Sequence, residues 1–331
     1  MKRRLFLAAA IAGLCSSVFG QGADARFSEV ARAINAKIRA NHYRRTELDS
    51  EAYRRIEQDV VALGEQATSA EEFIARFNAL WREGPFSHVS LGRAEESTAQ
   101  RYARLDTELG GPEAVNLTWR EDIAILAVNT MSGVDTIEAI NAAYDQIVSR
   151  KAAKLIIDLR SNGGGAFAVV PLIGHLIDKP IDAGVFVVGS WYADHRTPPA
   201  PGDFASAKPW RGYSVRAFQA DVLTRPLTSY RIDPLLPHFG GPVFVLTSRR
   251  SISAAEIAAD ALKSSGRAKI VGEKTPGAVL SSRLFDIPGG FHLRVPIADY
   301  YSITGARLEG TGVTPDVAVS ADQALDFALA D

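Results

Sequence analysis

Within residues 242–278 a short apolar run, a polar turn, a helix signal and a second apolar run follow one another without a break: PVFVLTSRRSISAAEIAADALKSSGRAKIVGEKTPGA. Val243, Phe244, Val245 and Leu246 have the length and composition of a buried strand. Ser253, Ala254, Ala255 and Glu256 open a helix in which Ile257, Ala261 and Leu262 recur at helical spacing. Residues 268–272 read as the next parallel strand. A serine at a strand-to-helix turn sits at the positive end of the helix dipole, and the N–H of the following residue is free to face an oxyanion. Ser-x-x-Glu is also a capping box, in which Ser253 and Glu256 satisfy one another's backbone N–H groups. Taken alone, the stretch favours the cap over a nucleophile.

The start of the chain, Met-Lys-Arg-Arg followed by an apolar run over residues 5–14 and small residues up to Gly20, reads as a secretory signal peptide. Cys15 lies at the depth of a lipoprotein cysteine, but Leu14 is too large for the position before a lipid-modified one. The expected destination is the periplasm of a Gram-negative bacterium. Cys15 is the chain's single cysteine, so the mature protein would hold no disulfide, thiol nucleophile or cysteine metal site. A formal net charge of −1 removes the electrostatic case for nucleic acid. No later apolar run approaches bilayer length, so no stable membrane insertion is expected. The 331 residues allow two structural units.

The first unit, residues 21–108, is predicted helical. Val30, Ile34 and Ile38, then Ile56, Val60 and Leu63, then Phe73, Phe77, Leu80 and Trp81 fall on successive helix faces. The run breaks at Gly84-Pro85 and leads into a loop carrying Ser87 and His88, with a short strand from Val89. The second unit, residues 109–331, opens with a hairpin over 115–119 and 123–128 and a helix over 136–151. A buried strand over 154–160 runs into Gly163, Gly164 and Gly165, and a further helix is predicted over 166–177. Strand and helix in alternation predict an α/β fold with a mixed, mostly parallel sheet and flanking helices; glycines at a strand's carboxyl end place the site there. Residues 195–240, rich in Pro, Gly and Arg, read as a flap-like excursion. A hairpin-like segment over 291–303 turns at Thr304-Gly305, and a closing helix covers 321–329. The three glycines match neither a dinucleotide fingerprint nor a Walker loop. A tight turn and an oxyanion hole of exposed N–H groups remain open for them.

Four stretches together resemble the superfamily of tail-specific (C-terminal processing) serine proteases and the tricorn protease core. They are Leu-Ile-Ile-Asp-Leu-Arg-Ser-Asn-Gly-Gly-Gly over 155–165, residues 247–256, Val-Gly-Glu-Lys-Thr-Pro-Gly over 271–277 and Glu-Gly-Thr-Gly-Val-Thr-Pro-Asp over 309–316, in the family's order and roughly its spacing. The resemblance implies a ClpP/crotonase-like core, Ser253 as nucleophile, and the N–H groups of Gly164 and Ala254 as the oxyanion hole. Tail-specific proteases carry a lysine where this chain has Ala278, so a Ser-Lys dyad with that lysine is excluded, and Lys274 is a poor substitute. The tricorn branch uses a Ser-His-Ser-Glu tetrad, and this chain resembles it in having Ser87, His88 and Glu309 as candidates. His88 would be the general base, with Ser87 and Glu309 orienting it.

The implied protein is an exported serine peptidase acting on a peptide or protein substrate, without metal or cofactor. The same apparatus would also support esterase activity. The superfamily's retinoid-binding repeats leave a non-proteolytic binder of a small apolar molecule or peptide as the alternative. Residues between the helical unit and the first core strands are too few for a PDZ module. His175 and His195 lack metal-ligand spacing. Arg249 and Arg250 fit a solvated turn better than a substrate carboxylate site.

Overall fold

The computed structural model describes residues 27–331, and the signal-peptide reading, with Cys15, lies outside the described residues. Three helices, α1 (Phe27–Asn41), α2 (Glu51–Gln66) and α3 (Ala70–Arg82), open the described chain. Each buries the face expected from its spacing: Val30, Ile34 and Ile38; Ile56, Val60 and Leu63; Phe73, Phe77 and Trp81. Ser50 and Ser69 cap α2 and α3 through their side chains. Burying each such side chain contributes roughly 1.5–3 kcal/mol.

Two sheets follow. The second in chain order is the parallel one, with strands running β12 (Val317–Ala318), β9 (Lys269–Gly272), β8 (Val243–Thr247), β4 (Lys154–Asp158), β3 (Ile123–Val128), β2 (Val115–Arg120). Every neighbour pair is parallel except the β2–β3 hairpin. β8 sits between β4 and β9 and is buried at all five positions, which is why it reads as an unbroken apolar run; the edge strand β2 alternates instead. The other sheet is largely antiparallel: β1 (Ser90–Arg93), β11 (Phe291–Ser302), β5 (Ile181–Val188), β7 (Leu227–Ile232), β6 (Lys208–Trp210), with β10 (Ser281–Ile287) also on β11. The mixed α/β architecture is as expected, divided over two sheets.

The helices α5 (Val134–Ser149), α6 (Val169–Gly174) and α9 (Ala254–Ser264) share one core with both sheets. In α9, nine residues from Ala254 to Leu262 are buried, and its alanines let it sit close to β5, β9 and β11. α10 (Ala321–Ala330) covers the outer face of the parallel sheet, on Phe244, Leu246 and Val271. Of the first three helices, α1 packs on β10 and β11 and α3 on β1, with α2 against both helices. α4 (Thr98–Arg104), α7 (Trp191–Asp194) and α8 (Val215–Val222) lie in the connections.

Several local expectations change. Residues 195–240 contribute β6 and β7 to the antiparallel sheet, so part of the expected flap is sheet. The hairpin partner of β11 is β10, joined through Gly289 and Gly290, whereas the turn at Gly305 forms only a small bridge between Tyr301 and Arg307. The helix expected over 166–177 shrinks to Val169–Gly174 because the Ala166 N–H is donated to the Met131 carbonyl at 3.0 Å, holding the preceding residues against the end of β3.

Candidate active site

The turn between β8 and α9 is built by side chains that reach back to β4. Ser248 Oγ donates to the Arg160 carbonyl at 2.6 Å and Ser251 Oγ to the Leu159 carbonyl at 2.8 Å. Those two serines are thereby structural. Ser253 differs: it is half-buried, lines a cavity of about 590 Å³, and has φ 58° and ψ −113°. A non-glycine residue in this region is strained, and the surrounding structure must hold it there.

Glu256 does the holding. Its side chain is fully buried, and its carboxylate accepts from the N–H groups of Ser253 at 3.1 Å, Gly277 at 2.7 Å and Ala278 at 2.8 Å, and from Thr275 Oγ1 at 2.6 Å. Burial raises its pKa, with the four donors pulling the other way. The capping pattern read from sequence is therefore half-used: Glu256 takes the Ser253 N–H, but the Ser253 hydroxyl makes no capping hydrogen bond. Ala278, where the resembling family has lysine, is tied to Glu256 through its backbone. Lys274 is exposed and does not line the cavity.

His88 reaches the same cavity from the loop after α3, with Ser87 directly before it. Phe86 anchors that loop, packing against His42, Tyr53 and Trp81. Glu309, 7% exposed, accepts from the Ser87 N–H at 2.8 Å, from Ser87 Oγ at 3.1 Å and from the Val279 N–H at 3.0 Å. Ser87 Oγ also lies 2.6 Å from His88 Nδ1. An ionised carboxylate only accepts, so the single Ser87 hydroxyl proton goes to Glu309 and Ser87 Oγ accepts from Nδ1–H. That assignment leaves Nε2 of His88 as the ring's free acceptor. Burial, assisted by the Arg294 guanidinium, pushes the His88 imidazole down to about 4. The ring is thus neutral at pH 7. Burial raises the Glu309 carboxyl, which its donors counter. His88 has φ 61°, so two of the four non-glycine residues with positive φ among the described residues are His88 and Ser253. No hydrogen bond joins Ser253 Oγ to His88 among the described contacts; the two meet as walls of one cavity.

The glycine loop faces the serine. A Cβ on Gly164, which has φ 92°, would lie 2.9 Å from both Ser253 Cβ and the Ile252 carbonyl oxygen, so only glycine allows this approach. Of the two expected oxyanion donors, the Ala254 N–H, first in its helix, has no partner among the described residues. The Gly164 N–H is instead donated to Asn162 Oδ1 at 2.8 Å. Asn162 is fully buried and also donates to the Val128 carbonyl at 2.9 Å, tying the loop to β3. The Gly164 N–H, expected as an oxyanion donor, is thus engaged by a side chain of its own loop.

Elsewhere, His175 is buried between the Pro237 carbonyl and Asn141, and His195 stacks on Trp191. Arg249 and Arg250 lie in an exposed turn away from the cavity. Sequence reasoning missed Glu256 as a positioning group beyond its cap, Asn162, and the cavity residues Arg101, Glu108 and Arg294. A polar residue between Leu293 and Val295 was the available signal for Arg294.

A mixed α/β fold with a strained serine facing a Glu–Ser–His chain across one cavity defines the class. Residues 122–319 match the model of Peptidase family S41, and the chain belongs to that family. A chloroplastic C-terminal processing peptidase of Tetradesmus obliquus is 28% identical over 184 residues, 55% of this chain and 32% of that protein. A carboxyl-terminal-processing protease of Picosynechococcus sp. is 28% identical over 202 residues, 60% of this chain and 39% of that protein. The match thus spans less than half the length of either curated relative. In fold, the chain is similar to a lipoprotein from Streptococcus agalactiae, with TM-score 0.58 at 16% identity over 94% of this chain and 97% of that one. It is also similar to the photosystem II D1 C-terminal processing protease, with TM-score 0.53 at 15% identity over 89% of this chain and 94% of that one. Among the described residues no helix is long and apolar enough to cross a membrane.

Proposed function

We propose that the protein is an exported serine peptidase that hydrolyses peptide bonds through an acyl-enzyme on Ser253. The observation that carries this reading is the part-buried Glu309–Ser87–His88 chain, whose free Nε2 shares a cavity with a strained serine. Membership of Peptidase family S41 supports it. Export rests on the signal-peptide reading of residues 1–20 alone.

In the first half-reaction His88 Nε2 takes the Ser253 proton as Oγ attacks the scissile carbonyl carbon. The oxyanion that forms meets the unpartnered Ala254 N–H at the start of α9. Gly164 supplies a second donor when its N–H exchanges Asn162 Oδ1 for the oxyanion. Collapse breaks the C–N bond, and the leaving amine takes its proton from His88. Water then repeats the sequence in reverse roles and frees Ser253. Glu309 acts through Ser87, holding His88 in the Nε2-acceptor tautomer and stabilising its transient positive charge.

The direct test is digestion of an unfolded protein such as reduced casein, followed by mass spectrometry of the new termini. Cleavage by the purified protein that disappears in Ser253→Ala supports the reading. Equal cleavage by the alanine variant, or none by the folded wild type, overturns it, and the second result favours the ligand-binding alternative.

A further inference from the structure

Among the described residues Arg294 is the one charge lining the cavity that has no partner of opposite charge. The cavity's charged side chains are Arg101, Glu108 and Arg294, with His88 neutral. Arg101 pairs with Glu108 at 3.0 Å. Arg294 donates a single hydrogen bond, from Nη1 to Ser282 Oγ at 3.2 Å. A guanidinium has five N–H donors in a planar fork suited to a carboxylate, so most of this one is unused. The neighbours that act on its charge are Tyr102 and Arg101, and no carboxylate is among them. Arg294 is exposed, and it lines the cavity together with His88 and Ser253. An exposed guanidinium with unused donors and no carboxylate partner is open to an anionic group that enters the cavity.

Its place relative to the reacting atoms follows from strand register. Arg294 in β11 pairs with Ser90 in β1, two residues beyond His88. Its charge is felt by the His88 ring. The histidine that protonates the leaving amine faces the leaving-group side of the scissile bond. We propose that Arg294 binds a carboxylate carried by the substrate on the leaving-group side of the scissile bond, and so sets specificity there. The carboxylate belongs either to a nearby free C-terminus or to an Asp or Glu side chain just after the cleaved bond. This inference rests on the peptidase reading for its function, but its binding step can be tested without cleavage.

The test uses matched peptides, with a phenylalanine or leucine before the scissile bond and one to three residues after it. One pair differs in a C-terminal carboxylate against a carboxamide. A second pair, amidated throughout, carries Glu or Gln directly after the bond. kcat/KM is measured for wild type, Arg294→Gln and Arg294→Lys, with melting temperature as the folding control. Affinity for the same peptides is measured by fluorescence anisotropy on Ser253→Ala with and without Arg294→Gln. The expected result is a preference for the carboxylate member of one pair on the order of 10- to 100-fold. It should vanish in Arg294→Gln and be intermediate in Arg294→Lys, which keeps the charge but loses the fork. Whichever pair shows it identifies the source of the carboxylate. Equal rates and affinities within both pairs for the wild type overturn the proposal, as does a preference that survives in folded Arg294→Gln. If no peptide is cleaved, the peptidase reading fails, while an Arg294-dependent affinity ratio in the Ser253→Ala background still upholds the carboxylate site.

Discussion

At the scale of single residues, the account turns on where one proton sits. Ser87 Oγ passes its one proton to Glu309 and accepts the His88 Nδ1–H, so its removal should untether the imidazole without disturbing the two backbone N–H groups from which Glu309 also accepts. Ser87→Ala should therefore lower kcat/KM by about 100-fold or more while costing only about 1 kcal/mol of stability. Glu309→Gln should do worse on both counts. Its amide turns a donor towards Ser87 or a backbone N–H, costing about 1–3 kcal/mol, and it favours the wrong imidazole tautomer. Parallel kinetics and thermal melts separate the two variants. The pH profile carries the sign of the burial effect. His88 is competent as a base only when neutral, and burial followed by Arg294 depresses it to about 4. The acid limb of kcat/KM should then fall near pH 4, well below the ordinary histidine value of about 6.5. Arg294→Gln should move that limb upward, because a positive neighbour has been removed. A limb near 6.5 in the wild type would contradict the depression.

At the scale of elements, the β8–α9 turn is a strained conformation held by a remote loop. Glu256 links the Ser253 N–H to Thr275, Gly277 and Ala278, so the loop after β9 fixes the serine's backbone. Glu256→Ala would leave several buried donors without partners. We expect a loss of about 3 kcal/mol or more and a serine that reacts slowly even in the surviving folded protein. An exposed helix cap would cost only about 1 kcal/mol, so denaturant unfolding of this variant distinguishes the two roles. These elements also show what could be read in advance. The β8–α9–β9 unit and the β2–β3 hairpin were legible because their burial follows a local period: continuous in β8, alternating in β2. β10 was not, since Ser281 to Ile287 bury only Ser282 and Ile287 and show no clean alternation. β7 was hidden within a Pro- and Gly-rich stretch although four of its first four residues are buried. Ser253, Ser87, His88 and Glu309 were legible through motifs. The grip of Asn162 on the Gly164 N–H and the unpaired state of Arg294 were not, because they depend on side chains that meet only in the folded chain.

At the scale of the whole molecule, the cavity is assembled from distant parts of the sequence, and its precision depends on how they are fastened. The loop with His88 belongs to the helical opening segment, while Ser253 and Glu309 belong to the part matched by the family model. Arg307 fastens the two. Its Nη2 donates to Tyr43 Oη at 2.7 Å and Glu47 Oε1 at 2.9 Å, and its Nε to the fully buried Asp299 at 2.6 Å. Arg307→Ala leaves Asp299 uncompensated and should cost about 3–5 kcal/mol, read as a lowered midpoint in chemical denaturation. A shift within experimental error would mean that the helices are held by their apolar core alone. The most direct test of the central claim is mass spectrometry of the intact protein after exposure to a fluorophosphonate, for wild type, Ser253→Ala and His88→Ala. The account requires one covalent adduct on Ser253, absent in Ser253→Ala and formed far more slowly in His88→Ala. A folded wild type that forms no adduct, or one labelled at the same rate without His88, would contradict it.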